Sequence, residues 1–124
     1  MEFSKQEIHQ IGMNEVGKHL EQNGFEFLAV KSRLGMSPQF VCLRNEKELY
    51  FILVRTLIFP EDPHVYDEIW MQKMKAHAKE KNARLLYAGV GIANSDRSIS
   101  TLQKGKDIAI TYMGLVEISL PNEK

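Results

Sequence analysis

The chain has a single cysteine, Cys42, in 124 residues, so it cannot close an internal disulfide, and nothing points to an oxidising compartment. Neither sign of charge is in excess: 16 Lys and Arg stand against 16 Asp and Glu. A formal charge of zero argues against a broad electrostatic grip on nucleic acid or an anionic membrane, though not against a local basic patch. No apolar run approaches the roughly 20 residues that a bilayer-crossing helix needs. The opening MEFSKQEIHQ lacks the basic start and apolar stretch of a secretion signal. Repeats, low-complexity tracts and linkers are also missing. These absences lead to the expectation of a cytoplasmic protein with one domain over residues 1–124, outside the membrane and without a cofactor.

With 44% hydrophobic residues, the chain can build a core. Ser4 and Glu7 have the spacing of a capping box, with Phe3 and Ile8 flanking it as a hydrophobic staple. Ile8, Ile11, Val16 and Leu20 follow near one helical face, and Gly24 offers a left-handed C-terminal cap. Strands are expected over 25–30, 39–44 and 49–56, joined by short polar turns and therefore antiparallel. Phe25, Phe27 and Ala29 fall on one side of the first strand. The third strand, LYFILVRT, is apolar at nearly every position, which suits a strand covered on both faces.

Asp62 is the expected cap of a second helix, with Pro63 at its first position and an end near Asn82. Tyr66, Ile69, Trp70, Met74, His77 and Ala78 lie near one face of that helix. A buried strand over 85–93, a long polar connection over 94–107 and one bent strand or two over 108–120 complete the chain. The second helix is long enough to return the chain parallel to the strand before it. The expected fold is α/β (α+β): an αβββαβ core whose mixed sheet is flanked by helices.

That order resembles the PD-(D/E)xK, or restriction-endonuclease-like, superfamily. GMNEVGKHLEQNGFEFLAV (12–30) is similar to the opening helix and first strand of its small members, and LYFILVRT to the strand carrying their acid-x-lysine motif. The resemblance implies metal-binding acids that are not here. Met13 stands at the helix-1 acid, Gln39 or Phe40 at the second-strand Asp, Leu53 at the third-strand acid and Arg55 at its lysine. Holding a hard cation and lowering the pKa of its water takes carboxylate oxygens. Arg55 cannot act as a base because it does not deprotonate. The resemblance therefore implies an inactive, metal-free copy serving self-association or partner binding. Its degenerate cleft would be formed by Glu15, Glu26, Gln39 and Arg55, with Glu15 or Glu26 as the carboxylate partner that a lone guanidinium requires. The alternatives are a divergent nuclease or nucleic-acid binder drawing on acids such as Glu15, Glu26 or Glu48, which the neutral charge does not favour, and an antiparallel regulatory module of the roadblock or profilin type.

Other candidate chemistry is weak. His9 and His19 lie roughly 80° apart around one helix and do not chelate together. His64, beside Asp62 and Asp67, reads as a loop residue before a metal ligand. Cys42, inside a strand, reads as an inert buried thiol. GVGIAN lacks the third glycine of a dinucleotide loop, and its glycines read as room for helix packing. Ser98 and Ser100 have no identifiable His or Asp partner. Tyr66, Trp70 and Met71 form an aromatic and methionine cluster, either core or the interface of a homo-oligomer or protein partner.

Overall fold

The computed structural model describes residues 1–119. In chain order its elements are α1 (Lys5–Gln22), β1 (Glu26–Val30), β2 (Phe40–Arg44), β3 (Glu48–Ile58), α2 (Glu68–Glu80), β4 (Arg84–Asn94) and β5 (Ile108–Ile118). Leu120, the expected end of the last strand, lies outside the described residues. The five strands form one sheet in the order β1-β2-β3-β4-β5. β3 and β4 run parallel and every other neighbouring pair is antiparallel. This is a mixed-sheet α+β fold, as the element order predicts. No helix among the described residues is long and apolar enough to cross a membrane.

The start of α1 forms as its sequence dictates. Ser4 Oγ accepts from the Glu7 amide at 3.1 Å, and Glu7 Oε1 accepts from the Ser4 amide at 2.8 Å. Phe3 packs with Ile8 in a small cluster that also holds Ile92 and Leu102. At the other end Gly24 takes φ +80° and the Phe25 amide bonds back to the Leu20 carbonyl. That closure folds Phe25 into the core.

The second helix starts later than expected. Asp67, not Asp62, caps α2, accepting from the Ile69 amide at 2.8 Å and the Trp70 amide at 3.2 Å. Asp62 is used in a turn, accepting from the His64 amide. In place of a first helical turn, this segment is tied to the sheet below: Tyr87 Oη donates to the Pro63 carbonyl. A Cβ at Gly89 would lie 2.6 Å from the same oxygen. The glycines of β4 thus make room for this loop, not for a helix. The buried face of α2 is also shifted. Met71, Met74 and Ala78 point inward, whereas Ile69 is 70% exposed. Met71 is fully buried within the protomer and cannot contribute to an association surface.

β3 divides the core in two. Tyr50, Ile52 and Val54 pack with Met13, Val16 and Leu20 of α1, while Phe51 and Leu53 pack with Met71, Met74 and Ala78 of α2. Its central residues are covered on both faces, as the continuous apolar run requires. On β1 a register shift between Phe27 and Ala29 breaks the expected alternation, leaving Phe27, Leu28 and Val30 exposed at the sheet edge. β5 is one strand, irregular opposite Ala88 and Val90.

Candidate functional site

The ladder between β2 and β3 begins at Phe40 opposite Ile52, yet β3 continues to Ile58. Gln39 fills the first gap along that edge. Its amide nitrogen donates to the Ile52 carbonyl at 3.1 Å, its Oε1 accepts from the Val54 amide at 2.7 Å, and its Nε2 donates to the Met36 carbonyl at 2.6 Å. Gln39 is buried and fully engaged, fastening the 32–39 loop to the strand. Past it lies a cleft of about 300 Å³, lined chiefly by His9, Gln39, Arg55, Thr56, Leu57 and Trp70. The size is at the lower end for a small-molecule site.

Among the described residues Arg55 has no carboxylate partner. Its Nη1 donates to the Val65 carbonyl at 2.5 Å and reaches Tyr87 Oη at 3.5 Å. Among the described residues, ion pairs join Arg84 to Glu48 and Glu117, Lys104 to Glu7, and His64 to Asp62, with none at Arg55. The expected tie to Glu15 or Glu26 is therefore absent. Arg55 follows Leu53 on the α2 face of the sheet, whereas α1 packs against the other face. Glu15 lies near Tyr112, whose hydroxyl is pushed up to about 12, mainly by burial and further by the Glu15 charge. Glu26 is exposed on β1, two strands from β3.

His9, weighed above only as a partner for His19, and Thr56, which does not stand out in the sequence, border the cleft on the α1 side. His9 is 4% exposed, and among the described residues its Nε2 has no hydrogen-bond partner. Burial holds its pKa below the ordinary histidine value, so the ring is neutral near pH 7. The Thr56 Oγ1 atom is also buried, with no partner among the described residues. It rests against Gly12, where an added Cβ would fall 1.7 Å from that oxygen. His9 and Gly12, three apart, share a face of α1. Trp70 is half-buried, packing on the α2 cluster while bordering the cleft.

The positions at which acids would be expected do not share a face. Met13 and Phe40 are buried on the α1 side, and Leu53 is fully buried on the α2 side. Among the described residues no three His, Cys, Asp or Glu side chains converge to hold a metal ion. His64 meets Asp62 at 3.2 Å, while Asp67 is turned to the helix cap. Cys42 is fully buried and its thiol is pushed up to about 12 by that burial. Ser98 and Ser100 bond to each other at 2.9 Å, and Ser98 also contacts Asn94. His77 is half-buried, its ring 5.1 Å from that of Phe51.

No curated protein matches the chain. A family model does match, over residues 6–118, which takes in the cleft and all five strands of the sheet. The chain belongs to that family, described as a domain of unknown function (DUF8840).

Proposed function

We propose that this protein is a catalytically inactive module on a restriction-endonuclease-like frame, acting in the cytoplasm by binding a partner in the cleft at the end of β3. One observation carries the reading: Leu53 is 0% exposed and packed against α2. The place of the third-strand acid is core, closed to a cation. The parallel β3–β4 pair supports the frame and runs against a wholly antiparallel roadblock or profilin-type sheet.

The faces of β3 also suggest a different register for the resemblance. A helix-1 acid can meet a strand acid only on the face that α1 covers. On that face the acid and lysine positions are Val54 and Thr56, beside His9 and Gln39. This register too lacks an acid, so the inactive reading holds in either. The test is cleavage of single- and double-stranded DNA and RNA with Mg²⁺ or Mn²⁺. No cleavage is expected above that of an Arg55→Gln variant, and metal-dependent cleavage by the wild type alone refutes the reading.

Self-association is a second reading, favoured by β5. That strand lies at the sheet edge, residues 108–116 carry no charge, and Met113 is 74% exposed. Edges of this kind are normally guarded by a charge or a proline. Sedimentation equilibrium of wild type and Met113→Lys decides it: a dimer that the variant dissociates supports the reading, and a monomeric wild type removes it.

A further inference from the structure

We propose that the cleft at the end of β3 takes an extended peptide segment of a partner protein, which adds to the sheet as a short strand where β2 stops and sets an acidic side chain beside Arg55. This rests on the binding-module reading and adds the form and chemistry of the partner.

The first observation is an unfilled place in the sheet. β3 pairs with β4 as far as Ile58, whereas its ladder with β2 ends at Ile52. Successive residues of a strand turn their backbone groups to opposite edges. The odd-numbered residues here face β4, as the Phe59 amide does in donating to the Ile92 carbonyl at 2.8 Å. The even-numbered ones face the other edge, where Gln39 Oε1 takes the Val54 amide at 2.7 Å, as a strand carbonyl would. Past that bond the Thr56 amide and carbonyl and the Ile58 amide have no strand opposite them among the described residues. The Ile58 carbonyl is used in a turn by the Glu61 amide at 3.0 Å. Edge groups of this kind are a template for another extended chain.

The shape of the cleft is the second observation. Its lining joins both helical layers to the edge of β3, with His9 of α1, Trp70 of α2, and Leu34 in the loop that leads into β2. A slot bordered on both faces suits a single extended chain, whose side chains alternate between those faces. A second copy would bring the width of its whole sheet to the same slot. His9 Nε2 and Thr56 Oγ1 are sealed on the α1 side and take no part in this mode.

Charge selects the segment. The lining holds Arg55 and no Asp or Glu. Arg55 and Leu57, two residues apart on one strand, share the α2 face with Trp70. An added strand places two of its own side chains across from them, and the complementary choice is one acidic and one apolar. Among the described residues the guanidinium is engaged through Nη1 alone, so donors remain for a carboxylate.

Trp70 is the only tryptophan in the chain and borders the cleft, so its fluorescence reports occupancy. A random library of short, end-blocked peptides is selected on the wild-type protein, and the tightest binders are titrated by that signal. Saturable binding is expected, with hydrogen exchange slowed at the Thr56 and Ile58 amides. Methylating the peptide's backbone nitrogens one at a time should weaken binding about tenfold or more at every second residue, and little between. Arg55→Gln, or changing the peptide's acid to its amide, should weaken it about two- to fivefold. No binders, binders without an acidic residue, or methylation effects lacking the two-residue period overturn the proposal. Binding that leaves the Thr56 and Ile58 amides exchanging as in the free protein overturns it too, while the binding-module reading stands. Amides already protected in the peptide-free protein, and released on dilution, would put a second copy in the gap and also overturn it. The cleavage assay judges the inactive reading separately, so the two can fail independently.

Discussion

The two ends of the parallel β3–β4 pair each carry an arginine, and the two are treated in opposite ways. At the start of β4, Arg84 grips Glu117 of β5 with two nitrogens, at 2.8 and 2.6 Å, and Glu48 of β3 at 2.8 Å. It ties three adjacent strands with its charge fully matched. At the far end of β3, Arg55 holds only a carbonyl and a distant hydroxyl on the α2 face, while on the α1 face the buried His9 and the half-buried Thr56 each keep a buried polar atom without a partner among the described residues. The sheet is sealed at one end and left chemically open at the other. In open parallel sheets, ligands gather outside the carboxyl ends of the strands, which is the open end here.

The largest effect expected is on the frame that both ends share. Leu53 is fully buried against α2 near the middle of β3. Leu53→Ala should cost about 2–5 kcal/mol in urea unfolding. A loss under about 1 kcal/mol would mean that α2 does not pack as described, and the contrast between the ends would lose its footing.

Gly12→Ala acts on the open end alone. The added methyl collides with Thr56 Oγ1 at 1.7 Å and with Thr56 Cβ at 2.9 Å, so α1 or β3 must move. Overpacking should cost about 1–3 kcal/mol despite the better helix propensity of alanine. A variant more stable than wild type would show that α1 approaches β3 less closely.

How much of this was legible follows from the same residues. The capping box at Ser4 and the glycine at 24 are local signals, and both appear as read. The order of the first six elements and the parallel return are visible because turn residues and a long amphipathic stretch punctuate the chain. The phase of β3 is not, since a strand apolar on both faces does not reveal which residues meet α1. That hid Thr56 and placed Arg55 beside α1. Asp62 and Asp67 both suit a helix start, and local sequence does not distinguish them, because the segment after Asp62 is tied to the sheet through Tyr87, 24 residues on from Pro63. His9 looks like any helical histidine in the sequence, and only the fold shows that it is buried.

Arg84→Met tests the sealed end. Both partners are more than a third exposed, so the network should contribute only about 1 kcal/mol. Its pH signature is more diagnostic. The Arg84 hydrogen bond holds Glu117 below the usual carboxylate range. A depressed carboxylate stabilises the fold above its unfolded pKa, and that contribution is lost as pH falls through its folded pKa. Urea midpoints measured from neutral pH down to about pH 3 should therefore fall less steeply in Arg84→Met than in wild type. Arg55→Gln should leave the steepness unchanged, because among the described residues no carboxylate pairs with Arg55. Equal slopes for Arg84→Met and wild type would remove the distinction between the two arginines.

The smallest effect concerns His9, on the α1 side of the open end. Its folded pKa is lowered by burial, so the folded protein resists protonation that the unfolded chain accepts. Below about pH 6.5 the unfolded state binds a proton that the folded state does not, and stability falls as pH drops towards the folded pKa. Above that window the ring is neutral in both states and the penalty is absent. His9→Phe keeps a flat ring in the same space and removes both the titration and the unmet Nε2. At pH 7.5 it should stabilise the empty protein by up to about 1 kcal/mol, and the gain should widen on acidification through the window. Thermal melts at pH 7.5 and pH 5.5 measure both terms. Destabilisation at both values would mean that His9 is satisfied within the fold. A gain at pH 7.5 that widens at pH 5.5 would show that Nε2 is unmet and that the folded protein holds the ring neutral.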